Sequence, residues 1–219
     1  CVNPWLSTTI SDDARGQAQR IISRPGVELA PRRMWPTGLN NLGINLKGKI
    51  KLQAEPGRAL ARLTDLGWGP TLRELQDPTT ADAPVSERLV NAVVEVLAEW
   101  DWALRPIAVV SMPSPNRPEL VTSLAQAIAK IGQMPYLGEL NWHGPVTTPA
   151  ENSAFRLAQV HGRYSVPEQL CQALAHAPTT GPVLLVDDFA TTKWSLTVAT
   201  VKLREAGAQG VLPLTLGTV

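Results

Sequence analysis

From residue 85 onward, apolar positions alternate between helical and strand-like spacing. Leu89, Val93, Val96, Leu97 and Trp100 share one helical face and predict a helix over 85–102. The mainly apolar run Pro-Ile-Ala-Val-Val-Ser-Met predicts a buried strand over 106–112. Leu120, Leu124, Ala127, Ile128 and Ile131 then return to helical spacing over 118–131. A short strand is expected near 136–140, followed by a Gly/Pro-rich loop and helices over 153–160 and 167–177. The chain closes with a strand over 183–186, a helix over 195–206 and a strand over 210–216. Strands that alternate with helices predict an α/β fold, a parallel sheet with helices on both faces.

The first 80 residues read differently, as a small, mostly irregular and helical basic segment. Ser11, Asp12 and Asp13 open a helix running to about residue 23, with acidic residues where the helix dipole favours them. Pro31, Pro36, Gly38, Gly43 and Gly48 break the stretch 27–50 into short strands and turns. Helices are expected over 55–66 and 71–75, and the small polar stretch 77–84 reads as a linker. The expected organisation is therefore a basic segment over 1–80 and an α/β domain over 85–219.

Composition narrows the class. With 44% hydrophobic and 18% charged residues, the 219-residue chain has the profile of a soluble globular protein. No apolar run approaches the roughly 18 residues that would suggest a membrane span, and no basic-then-apolar leader is present. The chain opens on Cys1 rather than methionine, which reads as a piece of something longer. Its two cysteines, Cys1 and Cys171, cannot make a disulfide framework. Cys171 falls on an amphipathic stretch and reads as core. His143, His161 and His176 lack metal-ligand spacing, so no metal site is expected within the chain itself. The net charge of +1 conceals an asymmetry: ten Lys or Arg and two Glu lie between Arg15 and Arg62. A block of local charge +8 beside an acidic remainder favours a polyanionic partner.

The sharpest local chemistry follows the strand Val183-Leu184-Leu185-Val186, which leads into Asp187, Asp188, Thr191, Thr192 and Ser195. Ligands of open α/β sheets bind at the carboxyl ends of strands. Backbone N–H groups and hydroxyls at such a turn would cradle a phosphate, and the carboxylates suit ribose hydroxyls or Mg²⁺. The segment resembles the diphosphosugar-binding loop of type I phosphoribosyltransferases. The stretch from Ile107 to Arg117 is similar to the family's first strand and pyrophosphate loop, with Arg117 the implied anion contact. Pro118 follows, as in the competence-protein branch, and Asn152 to Leu157 resembles the segment before that branch's mobile loop. One position departs from the pattern. Lys193 stands where the family has a glycine or another small residue, and with Trp194 it is expected to crowd a 5-phosphate and leave the site degenerate.

A second resemblance covers the first part. Arg24 to Leu29, Pro31 to Gly38, Leu46 to Ile50 and Gly57 to Gly69 resemble the C-terminal region of actinobacterial RecQ-type ATP-dependent DNA helicases, in which a phosphoribosyltransferase-like domain follows. The resemblance implies that Cys1 is the last ligand of a zinc cluster whose other cysteines lie upstream. It also implies motor domains in cis that use Mg²⁺ and ATP, and a cytoplasmic, nucleoid-associated location. This chain has no Gly-x-x-x-x-Gly-Lys-Ser/Thr loop, so the segment is no ATPase by itself. Three readings follow. The first is a helicase accessory region that contacts DNA through Arg32, Arg33, Lys47, Lys49, Lys51, Arg58 and Arg62, with Trp35 or Trp68 either stacking on bases or anchoring a core. The second is an active phosphoribosyltransferase using Mg²⁺ and phosphoribosyl pyrophosphate, and the third is a non-reacting phosphosugar sensor. The first is the principal expectation.

Overall fold

The computed structural model describes residues 11–22, 25–145, 152–177 and 180–219. Its centre is a six-stranded sheet in the order β1-β2-β8-β7-β3-β4. The strands are β1 (Val27–Leu29), β2 (Gly57–Arg62), β3 (Ala108–Ser111), β4 (Tyr136–Glu139), β7 (Pro182–Ala190) and β8 (Gly210–Thr218). Only the β1–β2 pair is antiparallel, so the sheet is mixed but largely parallel. A two-stranded antiparallel ribbon, β5 (Asn141–Trp142) with β6 (Tyr164–Ser165), stands apart from it.

Side-chain alternation along the strands feeds two cores. On one face Leu184, Val186, Val109 and Leu60 pack with helices α2 (Gly69–Gln76), α3 (Glu87–Glu99) and α4 (Pro118–Ile131). On the other, Leu185, Val183, Val110 and Ala59 pack with α5 (Ser153–Val160), α6 (Glu168–Ala175) and α7 (Trp194–Glu205). Helix α1 (Asp12–Ile22) precedes the sheet and carries the expected acids in its first turn. The expected α/β sheet with helices on both faces is present, but it is mixed and largely parallel, because β1 pairs antiparallel with β2.

Two local readings are corrected. Residues 55–66 contain a strand, β2, rather than a helix, and it lies between β1 and β8. Residues from both sides of the expected division at 80–85 consequently share one sheet. The strand predicted over 183–186 is also longer: β7 continues to Ala190, pairing Asp187 with Thr215 and Ala190 with Thr218.

Candidate functional site

Because β7 runs on, Asp187 and Asp188 sit inside a paired strand instead of beyond its end. Asp187 is buried, and its Oδ1 accepts the Asp188 N–H at 2.9 Å. Burial, and then the neighbouring Asp188 charge, hold the Asp187 carboxyl well above the ordinary range. Asp188 accepts from the Ser114 hydroxyl at 2.8 Å and from the Phe189 N–H at 2.6 Å. Its two oxygens are therefore already engaged by donors. Nearby, the Tyr164 hydroxyl bonds to Ser195, and burial pushes its pKa up to about 12.

Thr191, Thr192 and Ser195 border a cleft of about 220 Å³ together with Arg156, Tyr164 and Trp142. Neither aspartate is part of its wall, and neither are Arg117 and Lys193. Arg117 is 6% exposed and donates to the carbonyls of Asp77, Thr80 and Ala81 at 2.7–3.0 Å, tying down the stretch before α3. Sequence reasoning missed Ser114, Arg156 and Tyr164. Ser114 lies only three residues past β3, but the other two come from α5 and β6, which no local pattern connects to the turn.

Lys193 leaves the phosphate space that it was expected to crowd. It caps α7 in the left-handed region, at φ 63°, and its Nζ donates to the Ala30 carbonyl at 3.0 Å. Arg32 completes a latch. Its Nε donates to the Thr192 carbonyl at 2.7 Å, and its guanidinium lies 4.2 Å from the centroid of the Trp194 ring. Trp35 stacks on Trp194 with centroids 6.2 Å apart, and the buried Trp194 indole donates to Ser153 Oγ at 2.9 Å. The segment 30–35 is thereby fastened across the Thr191–Ser195 turn. Burial, and then the Arg32 charge, lower the Lys193 pKa, while burial and then Arg156 lower that of Arg32. Three cations thus crowd one turn.

Beyond the latch, the chain folds into a basic ribbon. The Trp35 N–H donates to the Gly48 carbonyl and the Ile50 N–H to the Arg33 carbonyl, both at 2.9 Å, while Met34 pairs with Lys49. Arg33, Lys47, Lys49 and Lys51 are all exposed on it, around a Met34 that is itself 57% exposed. The other candidate DNA contacts lie elsewhere. Arg32 is committed to the latch, Arg58 lies over Trp100 at 5.4 Å, and Arg62 is exposed at the end of β2. Trp35 and Trp68 both serve as packing anchors, Trp68 being 8% exposed beneath Arg88.

At the turn, burial raises the Asp187 pKa and each Asp188 oxygen already accepts one protein donor, and among the described residues no group of three His, Cys, Asp or Glu is placed to hold a metal. The expected zinc ligand Cys1 lies outside the described residues. No helix among the described residues is long and apolar enough to cross a membrane.

No protein-family model and no curated protein sequence matches the chain. Among solved structures it is similar to a purine phosphoribosyltransferase from Pyrococcus horikoshii OT3, at 16% identity over 60% of this chain and 71% of that one, with a TM-score of 0.36. An overlap that loose carries no argument about activity. The class that the fold defines is an α/β protein with a largely parallel mixed sheet.

Proposed function

We propose that this chain is a DNA-contacting accessory module, in which the α/β sheet is a rigid platform for the basic ribbon Arg33, Lys47, Lys49 and Lys51. The observation that carries the reading is the latch. Lys193 and Arg32, on opposite sides of one contact, bind each other's backbone carbonyl neighbourhoods and fix the base of the ribbon to the start of α7. A ribbon so anchored presents its cations without first ordering a loop, which lowers the entropic cost of meeting a phosphate backbone. The resemblance of segments between Arg24 and Gly69 to the C-terminal region of RecQ-type DNA helicases supports the same reading. In a longer protein of that kind, ATP-driven unwinding would reside in motor domains in cis, and this segment would hold or orient the DNA. On this reading the phosphosugar turn is structural: its aspartates brace the strand, and its backbone receives the latch. Titration of fluorescent DNA tests it, with binding expected to weaken steeply with salt and to depend on the four ribbon cations.

One observation favours a second reading, a phosphosugar or nucleotide sensor without turnover. The cleft beside the turn keeps two threonine hydroxyls, Ser195 and Arg156 on its wall. Calorimetric titration with phosphoribosyl pyrophosphate, with and without Mg²⁺, separates the two. Micromolar binding supports the sensor, and silence supports the structural turn.

A further inference from the structure

A second cavity lies at the opposite edge of the sheet, where β2, β7 and β8 begin. It encloses about 450 Å³, twice the space beside the Thr191–Ser195 turn. That volume is in the range of sites that hold small organic molecules, ~300–1,000 Å³. One wall is a pair of tryptophans from the chain leaving α3. Trp100 and Trp102 stack with centroids 4.2 Å apart, Trp100 is 6% exposed, and the Trp102 indole N–H is fixed on the Leu97 carbonyl at 3.0 Å. Leu104, 68% exposed, forms an apolar rim. The wall is therefore preorganised, and with Trp100 nearly buried its accessible apolar surface comes from the half-buried Trp102 and from Leu104.

Its lining is net negative. Glu28, Glu55 and Asp101 line the cavity against a single cation, Arg58. Arg58 is partly occupied, with Nη1 on the Gly57 carbonyl at 3.1 Å and its guanidinium over Trp100. Glu55 meets Arg204, from outside the wall, only at 3.8 Å, and half of its side chain is exposed. The Asp101 and Glu28 side chains make no ion pair among the described residues. Helix α3 ends at this cavity with no basic residue in its last turn, so its carbonyl end adds to the negative potential.

We propose that this cavity is a binding site for a small organic cation, an amine or guanidinium carried on a flat or short apolar body. The body lies against the tryptophan wall, and the charge faces Asp101, Glu55 and Glu28. The site does not depend on what the opposite edge of the sheet binds.

Calorimetry on the full chain with three probes of one shape tests the proposal: phenethylamine, its neutral analogue 2-phenylethanol, and phenylacetate. The amine should bind saturably with a dissociation constant below about 1 mM and at least about tenfold more tightly than the alcohol, while phenylacetate should not bind. Glu28→Gln, Glu55→Gln and Asp101→Asn together should weaken the amine by about tenfold or more and leave the alcohol unchanged. NMR should place the amine at the Trp100 and Trp102 indoles. Equal binding of amine and alcohol, binding of phenylacetate, no saturation by the amine, or shifts confined to Trp142 and Tyr164 would each overturn the proposal. The wild-type probe comparison decides it even if the triple variant fails to fold.

Discussion

Lys193 occupies a backbone conformation that costs a side-chain-bearing residue about 1–2 kcal/mol, yet its amine makes a contact that a glycine could not. The two effects separate experimentally. Lys193→Ala keeps the strained φ of 63° and loses the bond to Ala30, so urea denaturation should show a loss of about 1 kcal/mol. Lys193→Gly loses the same bond but relieves the strain, and should fall within about 0.5 kcal/mol of wild type. Equal losses in both variants would show that the backbone strain contributes nothing. Asp187 gives a second residue-scale prediction. Its folded pKa lies above the unfolded value near 3.8, so the unfolded chain releases a proton that the folded chain keeps. Stability therefore declines as pH rises from 3.8 toward the folded pKa. Asp187→Asn, which preserves the acceptor for the Asp188 N–H, should stabilise the protein more at high pH than at low pH. A pH-independent effect in denaturation at pH 4 and 8 would contradict a raised Asp187 pKa.

At the scale of elements, legibility followed how locally each one is determined. Helix α4 announces itself through Leu120, Leu124 and Ile128 at helical spacing with Pro118 in its first turn, and the structure places it where the pattern does. Strand β2 does not. Its Ala59, Leu60 and Ala61 are consecutive, buried and good helix formers, because an interior strand covered on both faces has no polar alternation to display. Only its place between β1 and β8 makes it a strand, and that is a tertiary fact. The candidate site divides in the same way. The run from Asp187 to Ser195 is contiguous and readable, whereas Arg32 meets Thr192 across 160 residues, a pairing that no spacing rule reveals. Arg117 belongs to this scale too, since it staples 77–81 to the start of α4. Arg117→Ala should free that stretch, accelerating its amide exchange and lowering stability by about 2–3 kcal/mol. Arg117→Lys should rescue little, because a single ammonium cannot reproduce a planar fork shared among three carbonyls.

For the whole molecule, the division of charge gains a structural meaning. The basic block between Arg15 and Arg62 does not form a separate unit, because part of it supplies two strands to the sheet and part is latched onto α7. Among its outward cations, Arg33, Lys47, Lys49 and Lys51 cluster on one ribbon, while Arg15 and Arg62 are exposed elsewhere. The most direct test is fluorescence anisotropy of a short DNA duplex between about 50 and 200 mM salt, comparing wild type with a variant carrying Glu at those four positions. Four phosphate contacts predict a log–log salt slope of about −3 to −4 for wild type. The variant should fold normally by circular dichroism and should not bind. Salt-insensitive binding by the wild type, or undiminished binding by the folded variant, would contradict the account.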